Sequence, residues 1–269
     1  MTVLDTRAAR YEVPTGFSWL LRDSWTEATR HLHAIPRNAE LLVFATVQPI
    51  MFIVLFVYVF DGSIDVPGGY VQYVIPGIFA QTVLFNSAFT GVGVADDLTK
   101  GIIDRLRSLP MYPAAVLIGR TLSDVVRNVI TFIVMLAVAF AVGFRFEGTL
   151  VSALWATLLM LFWSYAFSWI AALVGLSVGS VEAANSAGFI WMFPLTFVSS
   201  AFVDVEQMQS WLQPIARNNP FTILTNACRA LYNGTDPGND LWVALAWAVG
   251  ITIVFAFLAS RKFANSTSA

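Results

Sequence analysis

The chain has 269 residues, 57% of them apolar and 12% charged, with a mean hydropathy of +0.70. Soluble domains run at about 45–50% apolar and about 25% charged, so this composition excludes a disordered chain and argues against a soluble enzyme. The net charge of −2 argues against a nucleic-acid partner, and one cysteine, Cys228, excludes an internal disulfide or a cysteine zinc site. Composition instead predicts one all-α polytopic membrane domain.

Residues 1–38 read as a cytoplasmic N-terminal segment. They carry charge throughout and lack an apolar h-region, which predicts no cleavable signal peptide. Within them Phe17, Leu21, Trp25, Ala28, Leu32 and Ile35 recur at three- and four-residue spacing, predicting an amphipathic interfacial helix over 17–35. Such a helix serves either as a membrane-surface anchor or as a contact for a cytoplasmic partner. His31 and His33 are two apart, so they fall on different faces and make no metal site.

A spanning helix needs about 20 mostly apolar residues. Six stretches qualify, at 39–60, 70–95, 121–142, 150–178, 183–203 and 241–260, within a transmembrane domain of residues 39–260. Backbone groups in hydrocarbon must pair internally, and short alternating barrel segments are absent, so all six are predicted as helices. Lys and Arg set the orientation. Arg7, Arg10, Arg22, Arg30 and Arg37 precede the first span; Lys100, Arg105, Arg107, Arg120 and Arg127 join the second to the third; Arg261 and Lys262 lie in the tail, residues 261–269. Only Arg145, Arg217 and Arg229 fall on the other side. Both termini are therefore predicted to be cytoplasmic, in a plasma membrane, in the bacterial case the inner or cell membrane.

Between spans two and three lies a cytoplasmic loop, 96–120. Ile102, Ile103, Leu106 and Leu109 make one face of a short helix, Asp104, Arg105 and Arg107 the other, and Pro110 and Pro113 stop it. This fits either a groove in another protein or a membrane-surface helix. The outer loop, 204–240, is long enough to hold structure of its own. Val205, Met208, Trp211, Leu212 and Ile215 have helical spacing, and Asn219 with Pro220 starts a second short helix that Gly234 stops. Two short helices dipping into the outer leaflet fit this pattern. Arg229 stands in an apolar run, where it either pairs with Glu206 or Asp204 or snorkels to the headgroups. Gln48, Gln81, Asn86, Asn128 and Asn185 read first as hydrogen-bonding links between helices, and Ala171, Gly175 and Gly179 as a close-packing ladder. Phe52, Phe56, Phe79, Phe85, Phe89, Trp191 and Phe193 are candidates to line an apolar cavity.

No lysine follows a glycine, so no Walker A loop is present; Ser-His-Asp, HExxH and paired cysteines are absent too. The chain reads as a non-catalytic membrane subunit. The run GIIDRLRSLPM at 101–111, with AVLIGR at 115–120 and Asp124, resembles the permease subunits of type-2 ABC exporters, nearest the daunorubicin-resistance-like multidrug permeases. FPLTFVSSAF at 193–202, then Val205, Glu206, Met208, Trp211, Leu212, Gln213, Asn219, Pro220, Arg229 and Leu231, are similar to that family's C-terminal signature. Asp204 and Gln209 stand where the family usually has prolines.

The resemblance implies that Gly101, Asp104, Arg105, Leu106, Arg107, Leu109, Pro110 and Met111 form a coupling helix docking on a separate ATPase. ATP and Mg then bind that partner, and this chain holds no cofactor or metal. It implies outer re-entrant helices around Glu206, Trp211, Pro220 and Arg229, and a second permease, identical or homologous. It also implies a pathway between protomers lined by spans one, two and five, which carry Gln48, Phe52, Phe56, Gln81, Phe85, Trp191 and Phe193. The cargo expected is a hydrophobic or amphipathic drug-like or lipid-like molecule moved outward. The alternatives are a polysaccharide or lipid-linked glycan exporter, and a membrane assembly or sensor protein without transport.

Overall fold

The structure is a computed structural model that describes residues 17–34, 39–60, 66, 68–103, 105 and 113–265. Among the described residues it is helical without a strand: α1 (Phe17–Ala34), α2 (Ala39–Phe60), α3 (Tyr70–Thr99), α4 (Pro113–Ala141), α5 (Leu150–Gly175), α6 (Val181–Phe197), α7 (Gln213–Asn218), α8 (Pro220–Tyr232) and α9 (Gly238–Asn265). Side-chain caps set several starts. Thr149 accepts from Ser152 N–H, Ser180 from Ala183 N–H, and Asn219 from Phe221 N–H with Pro220 at the first position of α8. Gly234, at φ +70°, closes α8 where Thr235 N–H reaches back to Ala230 O, as its sequence position predicts.

Among the described residues four helices, α3, α4, α5 and α9, are long and apolar enough to cross a membrane. The central one is α3. Its side chains are buried almost without a break from Tyr73 to Ala88, against α5, α6, α2, α8 and α4. The α3–α5 crossing is close because side chains are missing. A Cβ on Gly175 would lie 2.2 Å from Gly91 O, and one on Gly91 would lie 2.6 Å from Ala171 O. Ala171 and Gly175 thus do what their spacing predicts, whereas Gly179, the third member of that ladder, faces open space.

Three expectations need correction. The third span was expected from residue 121, but α4 starts at Pro113. Arg120, Asp124 and Arg127 depress local hydropathy, yet they sit inside the helix with their charges paired (below). The fifth stretch was expected to run to residue 203, but α6 is 17 residues and ends at Phe197, beyond which the carbonyls are taken by side chains. No single helix covers 205–215. A 3-10 turn at Val205–Gln207 precedes α7, which has Pro214 in its first turn; in a helix interior, Pro214 would clash with the carbonyl of Ser210. On α1, the strip Ser24, Glu27 and Ala28 is buried, while Trp25 is 66% exposed. The reason is Gly119 on α4: its bare Cα admits α1 so closely that an added Cβ would lie 2.5 Å from Glu27 Cβ and 2.7 Å from Ser24 O.

Candidate functional site

Helical spacing turns Gln81, Thr82, Phe85 and Asn86 of α3 toward Gln48, Pro49 and Phe52 of α2. These seven residues line a recess of about 10 Å³, the size of one water. Gln81 and Asn86 are buried, whereas Gln48 is exposed at the rim. From the recess a line of rings runs outward and back. Phe52 stacks on Phe56 (5.9 Å) and Phe56 on Phe202 (4.5 Å). Phe202 meets Phe197 (5.4 Å), Phe197 meets Phe193 (5.7 Å), and Phe193 returns edge-on to Phe85 (5.3 Å).

Gln48, Phe52, Phe56, Gln81, Phe85 and Phe193 are thus brought together by α2, α3 and α6. Trp191 is not among them. Two residues from Phe193, it points to another face of α6, near Phe167 of α5 at 6.1 Å between centroids. With Pro194, Trp211, Ile215 and Pro220 it lines a separate open hollow of about 720 Å³. Phe79 packs on Phe132 and Tyr232, and Phe89 lies under the Arg127 guanidinium, so both leave the recess to others.

Beyond α6 the chain makes an irregular turn over 198–204, and its backbone groups are met by side chains. Asn219 Nδ2 donates to Leu195 O (2.8 Å) and Val198 O (2.5 Å). Ser200 N–H donates to Thr222 Oγ1 (3.1 Å), and Ser200 O accepts from Tyr73 OH (3.0 Å) and Arg229 (2.7 Å). Tyr70 OH donates to Phe202 O at 3.3 Å. Irregular backbone in a membrane protein survives where protein groups satisfy it in this way. Arg229 adds bonds to Tyr73 O (2.9 Å) and Asn226 Oδ1 (2.8 Å). The carboxylates expected as its partners are engaged elsewhere: Glu206 pairs with Arg217 at 2.7 Å, both exposed, and Asp204 Oδ1 caps Glu206 N–H. The arginine took carbonyls because a folded turn, invisible in linear spacing, carries them to it.

A polar network unforeseen as a unit joins α3, α4 and α5. Asp124 pairs with Arg127 (2.8 Å) and accepts from the Thr90 hydroxyl. Arg127 donates to Asn86 O (3.2 Å), Asn86 Nδ2 to Asn128 Oδ1 (2.8 Å), and Asn128 Nδ2 to Ser164 Oγ (2.5 Å). The signal was present in polar pairs four residues apart (86 and 90, 124 and 128, 164 and 168) inside apolar runs.

At the other end of α3, Arg120 of α4 pairs with Asp97, and Glu27 of α1 pairs with Arg30 at 2.8 Å. Burial pushes the Glu27 carboxyl above its ordinary value, while Arg30 pulls it down. Gly101 turns the chain at φ +66°, Arg105 N–H reaches Gly101 O (3.3 Å), and Arg105 is exposed. Ile103 packs inward with Val94, Val116, Trp169 and Phe263. Asp104, Leu106, Arg107, Leu109, Pro110 and Met111 lie outside the described residues.

The family described as ABC-2 type transporter matches residues 23–233. The chain is 32% identical to the daunorubicin resistance ABC transporter permease protein DrrB1 of Streptomyces coeruleorubidus, over 90% of this chain and 86% of that one. It is 25% identical to the doxorubicin resistance ABC transporter permease protein DrrB of Mycobacterium tuberculosis, over 88% and 85% respectively. It is 24% identical to the putative transport permease ycf38 of Cyanophora paradoxa, over 74% and 70%.

Proposed function

The chain belongs to the ABC-2 type transporter family, and from that premise we propose that it is the membrane permease of an exporter that moves a hydrophobic or amphipathic, drug-like molecule outward. A separate ATPase hydrolyses ATP, and a second permease completes the pathway. The chain crosses the membrane six times, by α2, α3, α4, α5, α6 and α9, with both termini in the cytoplasm. α7 and α8 dip into the outer leaflet.

The observation that carries this reading is the aromatic-walled recess between α2 and α3, from whose Phe85 the rings run on to Phe193 of α6. It supports a path for apolar cargo on the same three helices that the family resemblance puts at the protomer interface. The ties between α3 and α4 supply a route for work. Both helices lead into the loop at 101–111, and Arg120–Asp97, Asp124–Thr90 and Arg127–Asn86 join them along their length. A push on the loop therefore displaces the pair together and carries Asn86, a wall of the recess, with it.

The test is at the loop. An apolar side chain seated in a groove contributes about 1.5–3 kcal/mol, an exposed charge pair only about 0–1. In membranes of matched permease content, Leu106→Asp should abolish ATPase retention and drug-stimulated hydrolysis, while Arg107→Ala should weaken them mildly. Normal ATPase binding by Leu106→Asp would overturn the coupling role of this loop.

A further inference from the structure

We propose that the apolar hollow between α5, α8 and α9 seats one acyl chain of a membrane phospholipid whose headgroup ends in a primary ammonium, as phosphatidylethanolamine does, with that ammonium set against Asp240. The lipid is a resident part of the permease, away from the recess between α2 and α3.

The hollow measures about 460 Å³, and its lining is apolar throughout. Leu159 and Leu231 are its buried part, Phe162 and Leu245 are half-buried, and Trp155 and Trp242 are 60% and 68% exposed, so it opens at the protein surface. That surface faces lipid. Both α5 and α9 are long and apolar enough to span, and α9 buries little of its length. Water finds no hydrogen-bond partner in such a lining, and an empty space would forfeit dispersion contacts along the whole wall. Hydrocarbon is what remains. Trp155 and Phe162 are two turns apart on α5, about 10 Å of rise, against about 15 Å of hydrocarbon in one leaflet. An acyl chain lying along α5 matches that length.

The headgroup follows from the end of the hollow. α5 and α9 begin at the same membrane surface, because the N–H groups of Glu147 and Gly148, just before α5, donate to Tyr232 O at the end of α8, shortly before α9 (both 3.1 Å). Helical side chains lean toward the N-terminus of their own helix, so both tryptophans lean toward that surface. Their indole N–H groups have no hydrogen bond among the described residues and are available to ester or phosphate oxygens. Asp240, in the first turn of α9, stands one residue nearer the surface than Leu241 of the lining. It is half-buried, and its carboxylate has no hydrogen bond or ion pair among the described residues. Arg145, the cation of the loop before α5, is engaged by Phe140 O and Phe144 O. A headgroup on a flexible glycerol link needs no fixed point, only a charge within reach of the lip. A primary ammonium brings three donors and the opposite charge to Asp240, whereas the anionic phosphatidylglycerol is repelled.

The test uses the full chain in phosphatidylglycerol nanodiscs doped with phosphatidylethanolamine carrying a diazirine in one acyl chain, or with the matching phosphatidylglycerol probe. Photolabelling of α5 and α9 around the hollow is read by mass spectrometry, relative to labelling at Ile133, an exposed side chain of α4. The phosphatidylethanolamine probe should label the hollow about 5-fold more than the phosphatidylglycerol probe. Asp240→Asn should bring that ratio close to one while labelling persists. Leu245→Trp and Leu158→Trp each fill the hollow and should remove its excess of labelling over Ile133 for both probes, at unchanged melting temperature. Equal labelling by the two headgroups in the wild-type chain, or a ratio unmoved by Asp240→Asn, overturns the ammonium assignment. Labelling unchanged in both filled variants overturns the seat itself. Displacement of both probes by 1-methylpyrene, an apolar molecule without a headgroup, would make the hollow a site for free apolar molecules and overturn the proposal.

Discussion

Arg229 lies over the face of Tyr73, its guanidinium carbon 3.6 Å from the ring centroid, while the same guanidinium donates to the Tyr73 carbonyl. Through that pair α8 grips α3, and through Ser200 O it grips the turn after α6. Arg229→Ala would remove the charge-assisted bonds to Tyr73 O, Ser200 O and Asn226 Oδ1, at about 1.5–3 kcal/mol each. Arg217→Ala removes only an exposed pair with Glu206, where about 0–1 kcal/mol is at stake. Thermal unfolding in detergent should fall by several degrees for the first and hardly move for the second. Equal, negligible shifts would make Arg229 an incidental surface charge.

Asp124 and Arg127 are nearly buried partners, with side-chain exposures of 6% and 13%. Removing one leaves a buried charge alone, which costs about 3–5 kcal/mol, whereas replacing both by apolar residues of similar volume is often neutral. Asp124→Leu and Arg127→Met should each lower yield and melting temperature sharply, and the double variant should recover most of the loss. A double variant as poor as the sum of the singles would deny that the charges serve each other.

The α3–α5 crossing gives a steric test. Gly175→Ala places a methyl into Gly91 O and should separate the helices, with a loss of a few kcal/mol. Gly179→Ala meets no atom and should be silent. Melting temperatures of the two variants decide it, and a silent Gly175→Ala would mean that the helices do not touch there.

Glu27 supplies a pH dependence. Its carboxyl is raised above the ordinary value of about 4.3 by burial against α4. The folded chain therefore holds this proton more tightly than the unfolded chain. Its contribution is full below about pH 4.3 and is lost as pH rises through the raised value. Glu27→Gln should gain melting temperature relative to wild type as pH is raised across that window. A difference between the two that is flat with pH would remove the buried carboxyl as its cause.

Orientation is open to labelling. In a Cys228→Ala background, Ser63→Cys should react with an impermeant thiol reagent on intact cells and Ser266→Cys should not. The reverse pattern would invert the proposed arrangement.

Much of the bundle was legible because its signals are local. Continuous apolar runs, the Asn219–Pro220 start and the Gly234 stop each depend on a few neighbouring residues. What escaped were pairings across helices. Arg120 and Arg127 count as loop charges until Asp97 and Asp124 are seen beside them, and Arg229 looks for a carboxylate until Ser200 O is brought to it by a turn with no periodicity. Trp191 and Phe193 read alike as aromatics of one span, yet a two-residue offset sends them to different hollows. The close seat of Ser24 and Glu27 on α4 escaped because nothing in α1 announces Gly119, more than eighty positions away.

The brevity of α6 has a consequence for the surrounding lipid. Seventeen residues rise about 25 Å, against about 30 Å of hydrocarbon. On the six-span reading, acyl chains beside α6 must compress or tilt to meet it, while α3 and α5, at 30 and 26 residues, face an unstrained or even overmatched bilayer. The annulus is then thinnest at one azimuth, where α6 meets lipid at the edge of the protomer interface. A molecule leaving there crosses a shorter apolar distance to the headgroups than anywhere else on the perimeter, and lipid chain length becomes a variable that acts on this permease from one side.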